Sequence, residues 1–281
     1  MDAREQRYRR EQARRKRRKE RRRRRFMWLL LTLFIAVFCV AGYKVFTEVY
    51  TAHKESSALS DIALKVREAR KQSLNASVEQ PVGEDAPLVI LPEYQALYNE
   101  NNDFFGWLTI DGTVVDYPVM HTPDDPEKYL HLAYDGTYSF SGVPFLSANC
   151  ELNCGNYIVY GHHMKNGSMF ATLPKYADPE YLEAHPTVKF DTLYDRGTYQ
   201  VIAAFYSKIY PRTVEGVFRY YDYCRLDSPE IFDEYVAQVK EAAIYDTGIT
   251  AEYGDQLLTL STCNYHTDDG RFVVVAKRIT D

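Results

Sequence analysis

Thr259-Leu260-Ser261-Thr262-Cys263, followed eight positions later by Arg271, is an apolar, β-branched run that ends on a thiol and then meets a cation across a short gap. In an antiparallel hairpin turning at His266 to Gly270, Cys263 and Arg271 oppose one another. Directly opposed residues share a face, with Cβ atoms about 4.5 to 5.5 Å apart. A second run, Tyr157-Ile158-Val159-Tyr160, ends in Gly161-His162-His163 and supplies an imidazole. Neighbouring strand residues point to opposite faces, so only one of the two histidines can meet the thiol. A lone free cysteine is more often an inert buried side chain than a nucleophile. Arg271, taken alone, reads equally well as a solvated cation or a partner of Asp268 or Asp269.

Outward from these runs the pattern stays short, β-branched and aromatic. Strands are expected at Gly106 to Ile110, Val114 to Val119, Asn156 to Tyr160, Val188 to Phe190, Thr198 to Ile209, Gln256 to Cys263 and Phe272 to Lys277. Many short strands broken by turn residues indicate a barrel or sandwich. One helix is expected from Pro229 to Tyr245, capped by Ser228, with Ile231, Phe232, Tyr235, Val236 and Val239 on its apolar face.

Thr-Leu-Ser-Thr-Cys, Tyr-Gly-His-His-Met followed by Gly167, Ser168, Met169 and Phe170, and the stretch Gly106 to Val119 together resemble a class B sortase. The resemblance covers roughly the last two thirds of the chain. It implies a mainly β fold, an eight-stranded barrel with helical insertions, the helix lying before the penultimate strand. It also implies a cysteine transpeptidase with Cys263 as nucleophile, His162, directly after the Tyr-Gly pair, as acid and base, and Arg271 as donor to the developing oxyanion. His163 is then a structural neighbour. Ser261, Thr262 and Tyr160 are expected to contact the peptide. The implied substrate is a sorting pentapeptide, Asn-Pro-x-Thr-(Asn, Gly or Ser) or Leu-Pro-x-Thr-Gly, cleaved after Thr. Its partners are secreted proteins bearing C-terminal sorting signals and a lipid-linked peptidoglycan precursor that offers an amine. No cofactor or metal is implied. Asn264 departs from the acidic residue that follows the cysteine in some class B members, which weakens any role for an acidic group there in orienting His162, and the Cys-to-Arg loop is short.

The 281 residues suffice for one sizeable domain with appendages. The net charge of −5 conceals a division. Residues 1 to 25 hold 15 Lys and Arg against 4 Asp and Glu, a local +11, whereas the remainder carries −16. Phe26 to Phe46 is apolar apart from Thr32, Gly42, Tyr43 and Lys44, and about 20 such residues cross a bilayer core. It lacks a small-residue cleavage site and so reads as an uncleaved signal-anchor. The positive-inside rule then keeps the N-terminus cytoplasmic and places the later domain outside a single-pass membrane protein. The basic block abuts the span, so anionic lipid is its expected counter-charge and nucleic acid is not. The expected divisions are a cytoplasmic tail at 1–25, the span at 26–48, a helical stalk and linker at 49–91, and the catalytic domain at 92–281. Within the stalk, Thr47 to Ser77 suits a helix, either free or docked on the domain, and Gln80 to Pro92 a linker.

Cys39 falls in the span. Cys150, Cys154 and Cys224 fit no usual zinc spacing and are expected as small buried hydrophobes, although Cys150 and Cys154 lie close enough in sequence to pair. Other readings are an L,D-transpeptidase, which expects Ser-x-Gly-Cys at its nucleophile, and a non-catalytic membrane-tethered scaffold. Papain-like and amidase folds usually place Cys before His, the reverse of His162 and Cys263. Pilus-polymerising sortases usually add a C-terminal span, and this chain stops at Asp281 just after its last strand, so wall anchoring is the expected role.

Overall fold

The structure, a computed structural model, describes residues 3–75, 88–264 and 266–279. It divides into two compact units, Met1–His53 and Lys54–Asp281. The first unit is the greater part of helix α1 (Ala3–Asn75). A window of 18 residues in this helix reaches a mean hydropathy of 2.3 with none of its residues buried, long and apolar enough to cross a membrane by length and composition. The linker expected at Gln80 to Pro92 lies mostly outside the described residues.

In the second unit eight strands close a barrel in the order β1-β2-β3-β4-β7-β8-β6-β5. They are β1 (Phe104–Thr109), β2 (Asp116–Met120), β3 (Phe145–Leu146), β4 (Asn156–Gly161), β5 (Thr187–Thr192), β6 (Thr198–Lys208), β7 (Leu257–Cys263) and β8 (Gly270–Ile279). Seven occupy the runs expected from sequence. The eighth, β3, is only two residues long and pairs parallel with Met120 of β2 and antiparallel with β4. Helices α2 (Pro92–Glu100) and α3 (Pro179–Ala184) are additions to the one helix expected within the catalytic domain.

That expected helix is α4 (Pro229–Ala242), with the Ser228 side chain accepting from the Ile231 amide as an N-cap. It ends three residues earlier than expected. Phe232, Tyr235, Val236 and Val239 are buried, but Ile231 is exposed at the first turn. The buried set packs with Phe205, Leu257, Val273 and Val275 in a second apolar layer outside the barrel, and each such side chain contributes about 1.5–3 kcal/mol.

Two cores therefore sandwich β7 and β8. Alternation sends Leu258, Leu260, Val274 and Ala276 into the barrel, and Leu257, Val273 and Val275 towards α4. The end of α1 packs within the same unit: Leu59, Ala63 and Val66 are buried, and Glu55 accepts from the Phe140 amide and the Ser141 hydroxyl. Arg67 pairs with Asp116, and Arg70 with Asp191 and Glu93. Of the two readings of this segment, the helix docks on the domain, because an apolar stripe and three charged side chains find partners there.

Candidate functional site

The turn after Cys263 is tight. The Asn264 amide donates to the Gly270 carbonyl at 2.9 Å, and Asp269 takes the left-handed conformation at φ 55°. The ladder that follows pairs Cys263 directly with Arg271, Thr262 with Phe272 and Ser261 with Val273, the register that the sequence spacing predicts. The Cys263 thiol is half-buried, which keeps it reachable. Arg271 is also half-buried, and its Nη1 donates to the Gly270 and Asp269 carbonyls at 3.0 and 3.2 Å.

Beside β7 runs β4, parallel, from Asn156 opposite Leu257 to Gly161 opposite Thr262. Continued by one residue, that register brings His162 alongside Cys263 and sets the two on one face. Gly161 is required here: a Cβ would lie 2.6 Å from the Phe170 ring. The Phe170 amide donates to the His162 carbonyl at 2.9 Å, and His163 bridges to Met169. The Gly-Ser-Met-Phe stretch thus folds back over Gly161 and fixes the chain on either side of His162.

The two imidazoles have different tasks. His162 Nε2 lies 3.0 Å from the Leu130 carbonyl, which can only accept, so in the neutral ring Nε2 carries the proton and Nδ1 is the basic nitrogen. The His131 ring stands 5.6 Å away. Burial, with a smaller repulsion from His131, lowers the pKa of His162 from its ordinary value. His163 Nδ1 instead lies 3.1 Å from the backbone carbonyl of Cys263 and ties the nucleophile's strand end to the end of β4.

The floor of the site is closed from the α4 side. Tyr220, in a short 3₁₀ turn, is fully buried with its hydroxyl 2.8 Å from Ser261 Oγ, and Tyr235 Oη lies 2.7 Å from Thr259 Oγ1. Thr259 in turn donates to Asn156 Oδ1 at 2.9 Å. Burial pushes the Tyr220 phenol up to about 12, so it stays a neutral donor.

Among the three residues expected to contact a peptide, two have committed hydroxyls. Ser261 is 1% exposed and held by Tyr220; Thr262, equally buried, faces the other way and donates to the Gly161 carbonyl. Tyr160 is half-buried with its ring 5.7 Å from that of Phe145. Sequence reasoning missed Leu130, His131 and Tyr220. No spacing rule reaches them, since all three come from irregular connections. No group of three or more His, Cys, Asp or Glu with metal-holding geometry occurs among the described residues.

The family described as "Sortase domain" matches residues 108–279. Sortase B from Listeria monocytogenes is 31% identical over 253 residues, covering 88% of this chain and 94% of that protein. Sortase B from Staphylococcus aureus is 25% identical, covering 90% and 97%. The structure of a Staphylococcus aureus sortase B–substrate complex superposes with a TM-score of 0.68 at 23% identity, covering 82% of this chain and 99% of that one, which shows the shared fold.

Proposed function

The chain belongs to the sortase family of cysteine transpeptidases, and from that premise we propose that Cys263 is its nucleophile, His162 its acid and base, and Arg271 its oxyanion donor. The observation that carries this assignment is the ladder position of Cys263, directly opposite Arg271 and one step beyond the β4 register that leads to His162.

The Cys263 thiolate adds to the carbonyl carbon of the peptide's Thr. The guanidinium of Arg271 has five N–H donors, more than its two turn carbonyls absorb, and turns some of them to the negative oxygen. The C–N bond then breaks, and the leaving amine takes a proton from His162 imidazolium, leaving a thioester on Cys263. The incoming amine gives its proton to His162 as it attacks, and a new amide forms with release of the thiolate. His163 holds the Cys263 carbonyl throughout and so keeps the strand end from swinging.

The peptide is a sorting pentapeptide of the Asn-Pro-x-Thr or Leu-Pro-x-Thr type, and the amine belongs to a lipid-linked wall precursor. An uncleaved span at Phe26 to Phe46 with 15 basic residues before it supports a catalytic unit on the outer surface. There a membrane-threaded sorting signal and a lipid-linked acceptor meet the same thiol.

The test is full-length chain in detergent micelles with quenched sorting peptides. Intact mass spectrometry should find a thioester on Cys263, discharged by added amine. Cys263→Ala should abolish cleavage, and His162→Ala should lower it by at least 10²-fold. Full turnover by Cys263→Ala would end the assignment.

A further inference from the structure

Three thiols meet at one point that the transpeptidation does not use. Cys150, in the connection between β3 and β4, donates from its thiol to Cys224 Sγ at 3.2 Å. Cys224 follows the 3₁₀ turn that carries Tyr220, so the contact joins two connections 74 residues apart. Cys154 completes the group, its thiol donating to the Asn156 carbonyl at 3.4 Å, and Cys150 Sγ lies 3.5 Å from the same oxygen. Asn156 also binds the far side, its amide donating to the Cys224 carbonyl and its side chain to the Tyr223 carbonyl, each at 3.0 Å. Asn156 therefore holds the Cys224 backbone and receives the Cys150 side chain, while the Cys150 amide donates to the Ser147 carbonyl at 3.0 Å.

We propose that Cys150 and Cys224 form a disulfide and that Cys154 is the thiol through which oxidant enters. Closing from 3.2 Å to a disulfide of about 2.05 Å takes roughly 1.2 Å of side-chain movement. The three differ in access: Cys154 is 9% exposed and lines a surface pocket with Leu226, Tyr253 and Gln256, whereas Cys224 is 2% and Cys150 0% exposed. The oxidant is a small or protein disulfide, R–S–S–R. Cys154 thiolate attacks it, releasing R–S⁻ and leaving a mixed disulfide. Cys150 displaces the second R–S⁻ from Cys154, and Cys224 then displaces Cys154 from Cys150. The two thiol protons leave with the two R–S⁻ groups, so the net change is two protein thiols to one disulfide and R–S–S–R to two R–SH. The 150–224 bond is the end point because those two sulfurs stand in contact at 3.2 Å in the folded unit, and it stabilises that unit the more for closing a long loop. Outside the cytoplasm, where the topology reading puts this unit, such bonds persist.

The experiment uses full-length chain in micelles with Cys39→Ala and Cys263→Ala, so that only these three thiols remain, exposed to oxidised glutathione. Intact mass should fall by two hydrogens, and a non-reduced digest should yield a peptide linking Cys150 to Cys224. The melting temperature should rise by about 10 °C. Adding Cys154→Ser should slow the reaction at least tenfold and leave the product unchanged. A final product linking Cys150 to Cys154, a glutathione adduct that goes no further, thiols that stay free, or an undiminished rate without Cys154 would each overturn the proposal. Mapping the product on the parent chain needs no variant to fold, and none of these outcomes bears on the transpeptidase assignment.

Discussion

Replacing Tyr220 by Phe removes one oxygen from a fully buried ring whose hydroxyl lies 2.8 Å from Ser261 Oγ. Ser261 is itself 1% exposed, so its hydroxyl is left without a partner where water does not enter. Stranding a buried polar group costs about 1–3 kcal/mol, whereas removing both partners costs little more than the net worth of one bond, about 1 kcal/mol. Tyr220→Phe and Ser261→Ala should thus each cost about 2 kcal/mol, while the double variant costs about 1 kcal/mol instead of the additive 4 kcal/mol, a coupling of about 3 kcal/mol. In a unit of this size each single change lowers the melting temperature by roughly 4–8 °C. The phenol, pushed up to about 12 by burial, stays protonated at every working pH, so the coupling should not change between pH 6 and 9. Denaturant titration of parent, two single variants and the double variant at both pH values measures it. Additive losses, or a coupling that vanishes at pH 9, would refute the account of the floor beneath Cys263.

Two further perturbations test the neighbourhood of His162. Its lowered pKa means that the folded chain binds fewer protons there than the unfolded chain. The stability gained from a neutral ring is present above the unfolded pKa of about 6.5 and is lost as pH falls through the folded value. His131→Gln removes a repelling neighbour, so the His162 titration followed by NMR should move up; no movement, or a downward one, would show that His131 exerts no field there. Gly161→Ala drives a methyl to 2.6 Å from the Phe170 ring and should cost about 1–3 kcal/mol with a parallel loss of turnover. Unchanged melting and activity would show that the Phe170 ring yields freely.

What the sequence disclosed depended on how far apart the partners lie in the chain. Cys263 and Arg271 could be paired by counting, because a short antiparallel turn sets its register from its own length. The parallel pairing of β4 with β7 spans about 100 residues, and no local rule fixes such a register; only the resemblance singled out His162 from His163. Strand β3 escaped notice because two residues carry no alternation to read. Leu130, His131 and Tyr220 were invisible for a related reason: they reach the site from two short 3₁₀ turns and the residue after the first of them, where position is set by tertiary packing and not by period. Ser261 and Thr262 were legible as neighbours of the thiol, but not as residues whose hydroxyls are already spent on Tyr220 and Gly161.

The position of β8 between β7 and β6 governs the order in which this enzyme can come into being. As the chain emerges from the N-terminus, the imidazole of His162 is in place for a hundred residues before Cys263 follows, and the final strand, ten residues long, is the wedge that joins the two halves of the sheet. Until it inserts, β6 and β7 present two unpaired edges, one of them ending in the thiol. Nucleation through such distant contacts is slow. A nascent chain therefore carries its imidazole for about a hundred residues without the thiol, and thiol and cation then arrive together with the strand that seals the sheet.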